Sequence, residues 1–204
     1  MNQPAKLLSG EERFTVADLY VLSDLVATTW TAAADRDWSA LAGTVEWSCT
    51  KTADHAVDCV YAPMLFLASR KVDAYPDIGL DLTLGPQATP FLLVQSLQIA
   101  TRIRAAVVND AGPDVQAVIF RRPEVLTGAP HDFVPRGAME LILHAHDVCA
   151  GLRVAFEPPA ELCYRLRGHT RPWPMWTTAW HGLGDTHDPW NDLLAGSGRQ
   201  RQLI

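Results

Sequence analysis

The stretch Gly137-Ala138-Met139-Glu140-Leu141-Ile142-Leu143-His144-Ala145-His146-Asp147-Val148 constrains the fold more than any other part of the chain. On a helical wheel at ~100° per residue, Glu140, His144, Asp147 and Gly151 fall on one narrow stripe. Leu141, Leu143 and Val148 flank the stripe, and Ala138, Ile142, Ala145 and Cys149 occupy the opposite side. Almost no solvated face is left. Such a helix must be buried, so its one polar stripe faces the interior. A buried carboxylate beside a buried imidazole costs roughly several kcal/mol unless something compensates. A divalent metal is one compensation, and a metal-free buried ion pair is the other. With His55 as a third ligand, Glu140 and His144 complete a two-His, one-Glu set, a recurring open zinc site. A lone His in an apolar helix is also a common satisfied core residue. Cys59, one turn beyond His55, would give a more closed, structural-type site as a fourth ligand.

The rest of the chain reads as mostly helical. Thr15 caps a helix over about Val16 to Asp35, with Leu19, Leu22, Leu25, Val26 and Trp30 on its apolar face. A second helix covers about Thr50 to Arg70, with Thr50 as N-cap and a kink or loosened turn at Pro63. A turn-rich connector, Lys71 to Pro86, follows. Thr89-Pro90 opens a third helix to about Asn109. Val115 to Phe120 is a short strand or extended connector, and Pro123 to Pro130 is loop. The fourth helix spans about Pro135 to Ala150 and stops at Gly151. These elements predict an all-α fold, a four-helix bundle over residues 1–152. Residues 153–204 form a short Trp-rich extension carrying Trp173, Trp176, Trp180 and Trp190, with a short helix from Pro158-Pro159 to about Arg167 and breaks at Pro172, Pro174 and Pro189. About 50 residues are few for an independent core, so the extension is expected to pack on the bundle.

The 204 residues are 48% hydrophobic, enough for a real core, and carry a net charge of −6 with no basic cluster, which argues against nucleic acid as a partner. Ala56 to Ala68 is too short to span a membrane and contains Asp58 and Pro63, so no membrane segment is expected. The N-terminus lacks the apolar core of a signal peptide, and Cys49, Cys59, Cys149 and Cys163 form no CxxC pair. Reduced core cysteines and a cytoplasmic location are the expectation.

Three motifs carry a family resemblance. Trp47-Ser48-Cys49-Thr50-Lys51-Thr52-Ala53-Asp54-His55 resembles the entry into the second helix of the DinB/YfiT-like superfamily. Glu140-x-x-x-His144-x-x-Asp147-Val148, followed by Gly151-Leu152, resembles the fourth-helix motif of the mycothiol-dependent maleylpyruvate isomerase N-terminal domain family. Asp188-Pro189-Trp190-Asn191-Asp192-Leu193-Leu194 with Gly198-Arg199 is similar to a tail common in actinobacterial members. The resemblance implies a divalent metal, usually zinc, held by His55, Glu140 and His144, and a low-molecular-weight thiol such as mycothiol as co-substrate. Metal would lower the proton affinity of the thiol and supply a thiolate for S-transfer or thiol-assisted isomerisation. Two imidazoles and a carboxylate also suit Fe2+ or Ni2+. The isomerase itself resembles a bundle plus a larger C-terminal domain, so its substrate-binding residues do not carry over.

Other residues have two readings each. Asp147 orients a ligand imidazole or makes an interhelical or N-cap hydrogen bond. Asp54 and Asp58 flank His55 or face solvent. Arg136 meets an anionic substrate or makes a surface salt bridge. His146 points away from the stripe and reads as a hydrogen-bonded residue that is structural or supports a ligand from behind. His181 and His187 transfer protons or decorate a Gly-rich loop. The Trp-rich tail walls a pocket over the metal or packs without substrate contact. Three functions follow: a metal-dependent thiol transferase or isomerase; a metal-dependent hydrolase, lyase or isomerase of a small-molecule pathway that uses no thiol; and a non-enzymatic small-molecule binder. A monomer or a homodimer fits each.

Overall fold

The computed structural model describes residues 13–77, 81–174, 176 and 186–201. The chain is mostly helical, with six α-helices and a two-stranded sheet among the described residues. Helix α1 covers Val16–Ala32. Its start is a capping box: Asp18 N donates to Thr15 Oγ1 at 3.3 Å, and Thr15 N donates to the Asp18 carboxylate at 2.8 Å. It ends short of the expected Asp35. Trp38 folds back and its indole N–H donates to the Ala33 carbonyl at 3.0 Å, satisfying a terminal acceptor.

Helix α2 covers Cys49–Ser69. Ser48, rather than Thr50, is its N-cap: Lys51 N donates to Ser48 Oγ at 3.2 Å, and the Thr50 hydroxyl is spent on the Trp38 carbonyl at 3.0 Å. Helix α3 covers Pro90–Asp110, with Thr89 as N-cap, as the sequence predicts. By length and composition α3 is apolar enough to cross a membrane, which corrects the expectation that no stretch qualifies. Here Leu93, Leu97 and Ala100 face the core, while Phe91, Ile99 and Ile103 stay exposed.

Strands β1 (Ala117–Phe120) and β2 (Leu126–Gly128) pair antiparallel, with Ala117 opposite Gly128. The second strand lies within the expected loop. Helix α4 covers Phe133–Leu152, longer at both ends than the sequence suggests. Gly151 does not terminate it. A Cβ there would stand 2.3 Å from the Leu41 carbonyl oxygen and 2.5 Å from Cys49 Sγ, so close packing rather than a left-handed turn requires the glycine. The left-handed residue is Arg153, at φ 56°. Helix α5 covers Ala160–Thr170, and α6 covers Pro189–Gly196. Pro189 thus opens a helix instead of breaking one, because the first turn does not need its missing N–H.

Helix α2 packs against α3 and α4, and α1 packs against the same two, so the four long helices enclose one core. Leu19, Leu22, Trp30, Val60, Leu97, Leu141 and Ile142 are all fully buried in it. Three polar links tie the later segments to these helices. Arg165 donates to Asp18 from its Nε at 3.1 Å, His169 meets Asp132 at 3.0 Å, and Arg199 grips Asp147. Within the C-terminal segment, Arg167 and Thr186 both donate to Asp192.

One polar side chain lies at the centre. Arg104 of α3 is fully buried. Pro63 lacks the N–H that would satisfy the Cys59 carbonyl four residues earlier, and Arg104 Nη2 donates to that oxygen at 3.1 Å. Its Nε donates to the Val60 carbonyl at 2.9 Å, and Nη1 donates to that of Phe133. The guanidinium lies against Gly137, where a Cβ would approach to 2.5 Å. Burial, and then the charge on Arg136, pull Arg104 down to about 9, so it remains charged at neutral pH.

Candidate functional site

Helix α4 has no exposed residue. Its half-buried positions include Arg136, Glu140 and His144, three successive turns of one stripe. Against this stripe α2 presents His55. The His55 and His144 ring centroids are 5.1 Å apart and meet edge to face. Trp47, just before α2, packs its ring edge to face on His55 at 5.2 Å, while the Lys51 ammonium lies 4.4 Å from the same indole. His55 of α2 therefore meets His144 of α4, and Glu140 stands one turn before His144 on the same helix.

The carboxylate and imidazole atoms of the stripe each have a defined neighbour. His144 Nδ1 lies 3.2 Å from Asp147 Oδ2, while Nε2 faces Glu140 Oε2 at 3.7 Å. The other Glu140 oxygen accepts from Arg136 Nη1 at 3.0 Å. Asp147 is held in turn by Arg199, whose Nε and Nη2 donate to its two oxygens at 2.9 and 2.7 Å. Burial pushes the Asp147 carboxyl up, but contacts with His144, His146 and Arg199 outweigh it and hold the group well below the usual carboxylate range. Asp147 thus sits against His144 and also joins α4 to the chain after α6; because Arg199 lies in no helix, that link is neither the interhelical nor the N-cap bond expected.

An ionised Asp147 accepts the Nδ1–H of His144, and the Nε2 edge of the ring faces a carboxylate oxygen of Glu140. In the neutral imidazole one acceptor faces another, whereas an imidazolium pairs with Glu140 directly. A cation between the neutral ring and the carboxylate removes that opposition, and two imidazoles with a carboxylate are a suitable donor set for zinc, iron or nickel. Burial, and then the neighbouring His144 charge, lower the His55 pKa and favour its neutral, ligating form. Among the described residues, no three His, Cys, Asp or Glu side chains stand as arranged in a group that could hold a metal. The donor chemistry fits a metal; its convergence on one point is not displayed.

Cys59 Sγ lies 3.5 Å from His55 Nε2. Burial, and then the Glu140 charge, push its thiol far up, so it stays protonated and acts as a partner of His55 rather than a nucleophile. All four cysteines are free.

Other expectations change. Asp54 does not face solvent: it is buried and accepts from Leu84 N and Gly85 N, both at 2.8 Å, pinning the turn before α3. Asp58 is half-buried, and burial raises its pKa. His146 is buried against Trp190, with ring centroids 5.6 Å apart, but neither ring nitrogen has a hydrogen-bond partner among the described residues. Its Nδ1 stands 3.8 Å from Asp147 Oδ1, beyond hydrogen-bond reach, so His146 flanks the carboxylate that holds His144 without the expected hydrogen bond. His187 is exposed, and His181 and Trp180 lie outside the described residues. Trp173 packs on Phe120 at 5.2 Å and Trp190 on His146, so these two tail tryptophans line buried seams rather than touching His55 or His144. Sequence reasoning missed the roles of Arg199 and Arg104. Gly198-Arg199 stood out only as a motif, and Arg104 hid in an apolar run with no acid nearby to mark it.

Comparison of the chain with known protein families, with characterised proteins and with solved structures found no match.

Proposed function

We propose that this chain is a metal-dependent enzyme of the DinB/YfiT-like type, related to the mycothiol-dependent maleylpyruvate isomerase N-terminal domain family. In this reading residues 1–152 form a four-helix bundle, and residues 153–204 pack on it as an extension. His55, Glu140 and His144 hold a divalent metal, zinc in the first instance. The observation that carries the reading is the edge-to-face meeting of His55 and His144 at 5.1 Å, with Nε2 of His144 aimed at Glu140.

When bound, the metal lowers the proton affinity of a low-molecular-weight thiol or of water at the open position. The chain supplies the rest. Asp147, fixed by Arg199, holds His144 in the Nδ1–H tautomer. Arg136 orients the Glu140 carboxylate. Trp47 and Cys59 restrict the His55 ring from two sides and shield it from water. A small molecule bearing an electrophilic carbon would accept the activated thiol, with S-transfer or isomerisation as the outcome.

Two measurements test this in sequence. Metal content of the purified protein should be stoichiometric and should fall to near zero in a folded His55→Ala variant. Unchanged stoichiometry in that variant refutes the ligand set. Metal-dependent conjugation of mycothiol to monochlorobimane then tests the thiol. A metal-loaded protein with no rate above background assigns the metal instead to thiol-free chemistry such as hydrolysis.

A further inference from the structure

Beside the stripe, on the far side of Arg136, a cavity of about 280 Å³ is lined by Tyr75, Phe120, Arg121, Arg122, Arg136 and Pro174. Its volume is near the lower end of the roughly 300–1,000 Å³ usual for small-molecule pockets. Three of its six lining residues are arginines, in a chain whose net charge is −6. Arg121 and Arg122 are exposed, and among the described residues neither makes an ion pair. Arg136 spends Nη1 on Glu140, but its Nε is buried without a hydrogen-bond partner. Behind it stands Arg104, charged and bonded only to carbonyls. The cationic charge is therefore locally in excess, and fixed donors remain unused.

The remaining wall is aromatic and rigid. The Arg136 guanidinium carbon lies 5.0 Å from the Phe120 ring centroid, and that of Arg121 lies 5.3 Å from the Tyr75 ring. Tyr75 is itself stacked on Phe66 at 4.1 Å, and its hydroxyl donates to the Ile119 carbonyl at 3.3 Å. Stacked guanidinium groups keep their N–H edges free for a planar oxyanion. The rings offer a flat apolar surface beside it.

We propose that this cavity binds a small organic anion, an oxyanion carried on a planar apolar body, with Arg121 and Arg122 taking the charge and Phe120 and Tyr75 the body. The inference rests on the proposed function only for its consequence: Arg136 touches both the cavity and Glu140, so the anion is the substrate's handle and its reacting end lies toward His144. The net negative charge of the chain opposes a polyanion, which leaves a small molecule as the ligand.

The experiment is equilibrium titration of the full chain with benzoate, phenylphosphonate, inorganic phosphate and benzylamine, following the ring protons by NMR. Benzoate and phenylphosphonate should saturate the protein, with nuclear Overhauser contacts to Phe120 and Tyr75, and whichever binds more tightly names the head group. Phosphate should bind at least about tenfold more weakly and benzylamine not at all. Arg121→Ala with Arg122→Ala should weaken benzoate by about tenfold or more. His55→Ala should change it less than twofold, so failure of the metal site and failure of the anion site read out separately. Equal binding of benzylamine, equal binding by the double variant, or no saturable binding of either aromatic anion overturns the proposal. Contacts to Phe120 and Tyr75 in the unsubstituted chain decide the matter even if the double variant does not fold.

Discussion

Arg104 and the Glu140–His144 pair lie on neighbouring stretches of the same interior, yet they handle buried charge in opposite ways. Arg104 is surrounded by carbonyl oxygens from α2 and α4, and every donor it directs there meets an acceptor. Glu140 Oε2 and His144 Nε2 face each other 3.7 Å apart, too far for a hydrogen bond, and only their outer atoms are bonded, to Arg136 and Asp147. A satisfied buried charge holds a fold together. A pair left open between its members, each held by an outside partner, has room for a ligand to complete it. The two should respond differently to substitution.

Removing the arginine should have the largest effect. Arg104→Ala leaves the Cys59 carbonyl, already deprived of a donor by Pro63, without its partner, and it opens a cavity between α2, α3 and α4. An unsatisfied buried group together with a lost large side chain costs about 3–5 kcal/mol. The variant should unfold at much lower urea concentration, while any folded fraction still binds metal. A change below about 1 kcal/mol would mean that Arg104 is not the structural half of the contrast.

The contrast was only half legible in the sequence. Glu140, His144 and Asp147 stood out because helical spacing alone puts them on one stripe and their neighbours are apolar. His55 could be joined to them only through a resemblance, since no spacing rule connects residues so far apart. The helices were legible for the same local reason, as were the Thr15 and Thr89 caps, while the cap of α2 and both ends of α4 were not. Gly151 looked like a stop signal because that role depends on local backbone, whereas its real constraint is a carbonyl from Leu41, more than a hundred residues earlier. Arg104 and Arg199 were opaque because their partners, backbone oxygens and a distant aspartate, leave no pattern along the chain. The readings of Asp54 stayed open for the same reason, as its acceptor role is defined by the turn at Leu84 and Gly85.

Glu140→Gln probes the other half of the contrast. The amide keeps the shape and can place its N–H2 toward the Nε2 of a neutral His144. It gives up the charge pairing with Arg136, a partly exposed contact worth about 0–1 kcal/mol. The two changes offset, so stability measured without metal should stay within about 1 kcal/mol of the parent chain. Metal content, in contrast, should drop sharply. A loss of stability as large as that of Arg104→Ala would make Glu140 a structural residue and dissolve the distinction.

The smallest effect is expected at Asp18, a closed ion pair that serves as the reference for both. Burial raises its pKa, but hydrogen bonds from Arg165 and Thr15 outweigh burial and leave it below the ordinary 3.8. A carboxylate with a depressed folded value contributes stability that is present above its unfolded pKa and lost as pH falls through the folded one. At pH 7 the full contribution is in place, and Asp18→Asn should cost about 1 kcal/mol. As pH falls below about 4, the parent chain should lose this increment and the two unfolding curves should converge. Urea midpoints at pH 7, 5, 4 and 3 measure the convergence. Because Arg165 sits on α5 and Asp18 on α1, the same series reports whether the C-terminal segment is held by this charge. A gap that stays constant down to pH 3 would assign the effect to side-chain shape, and the pair would then stand with neither Arg104 nor Glu140.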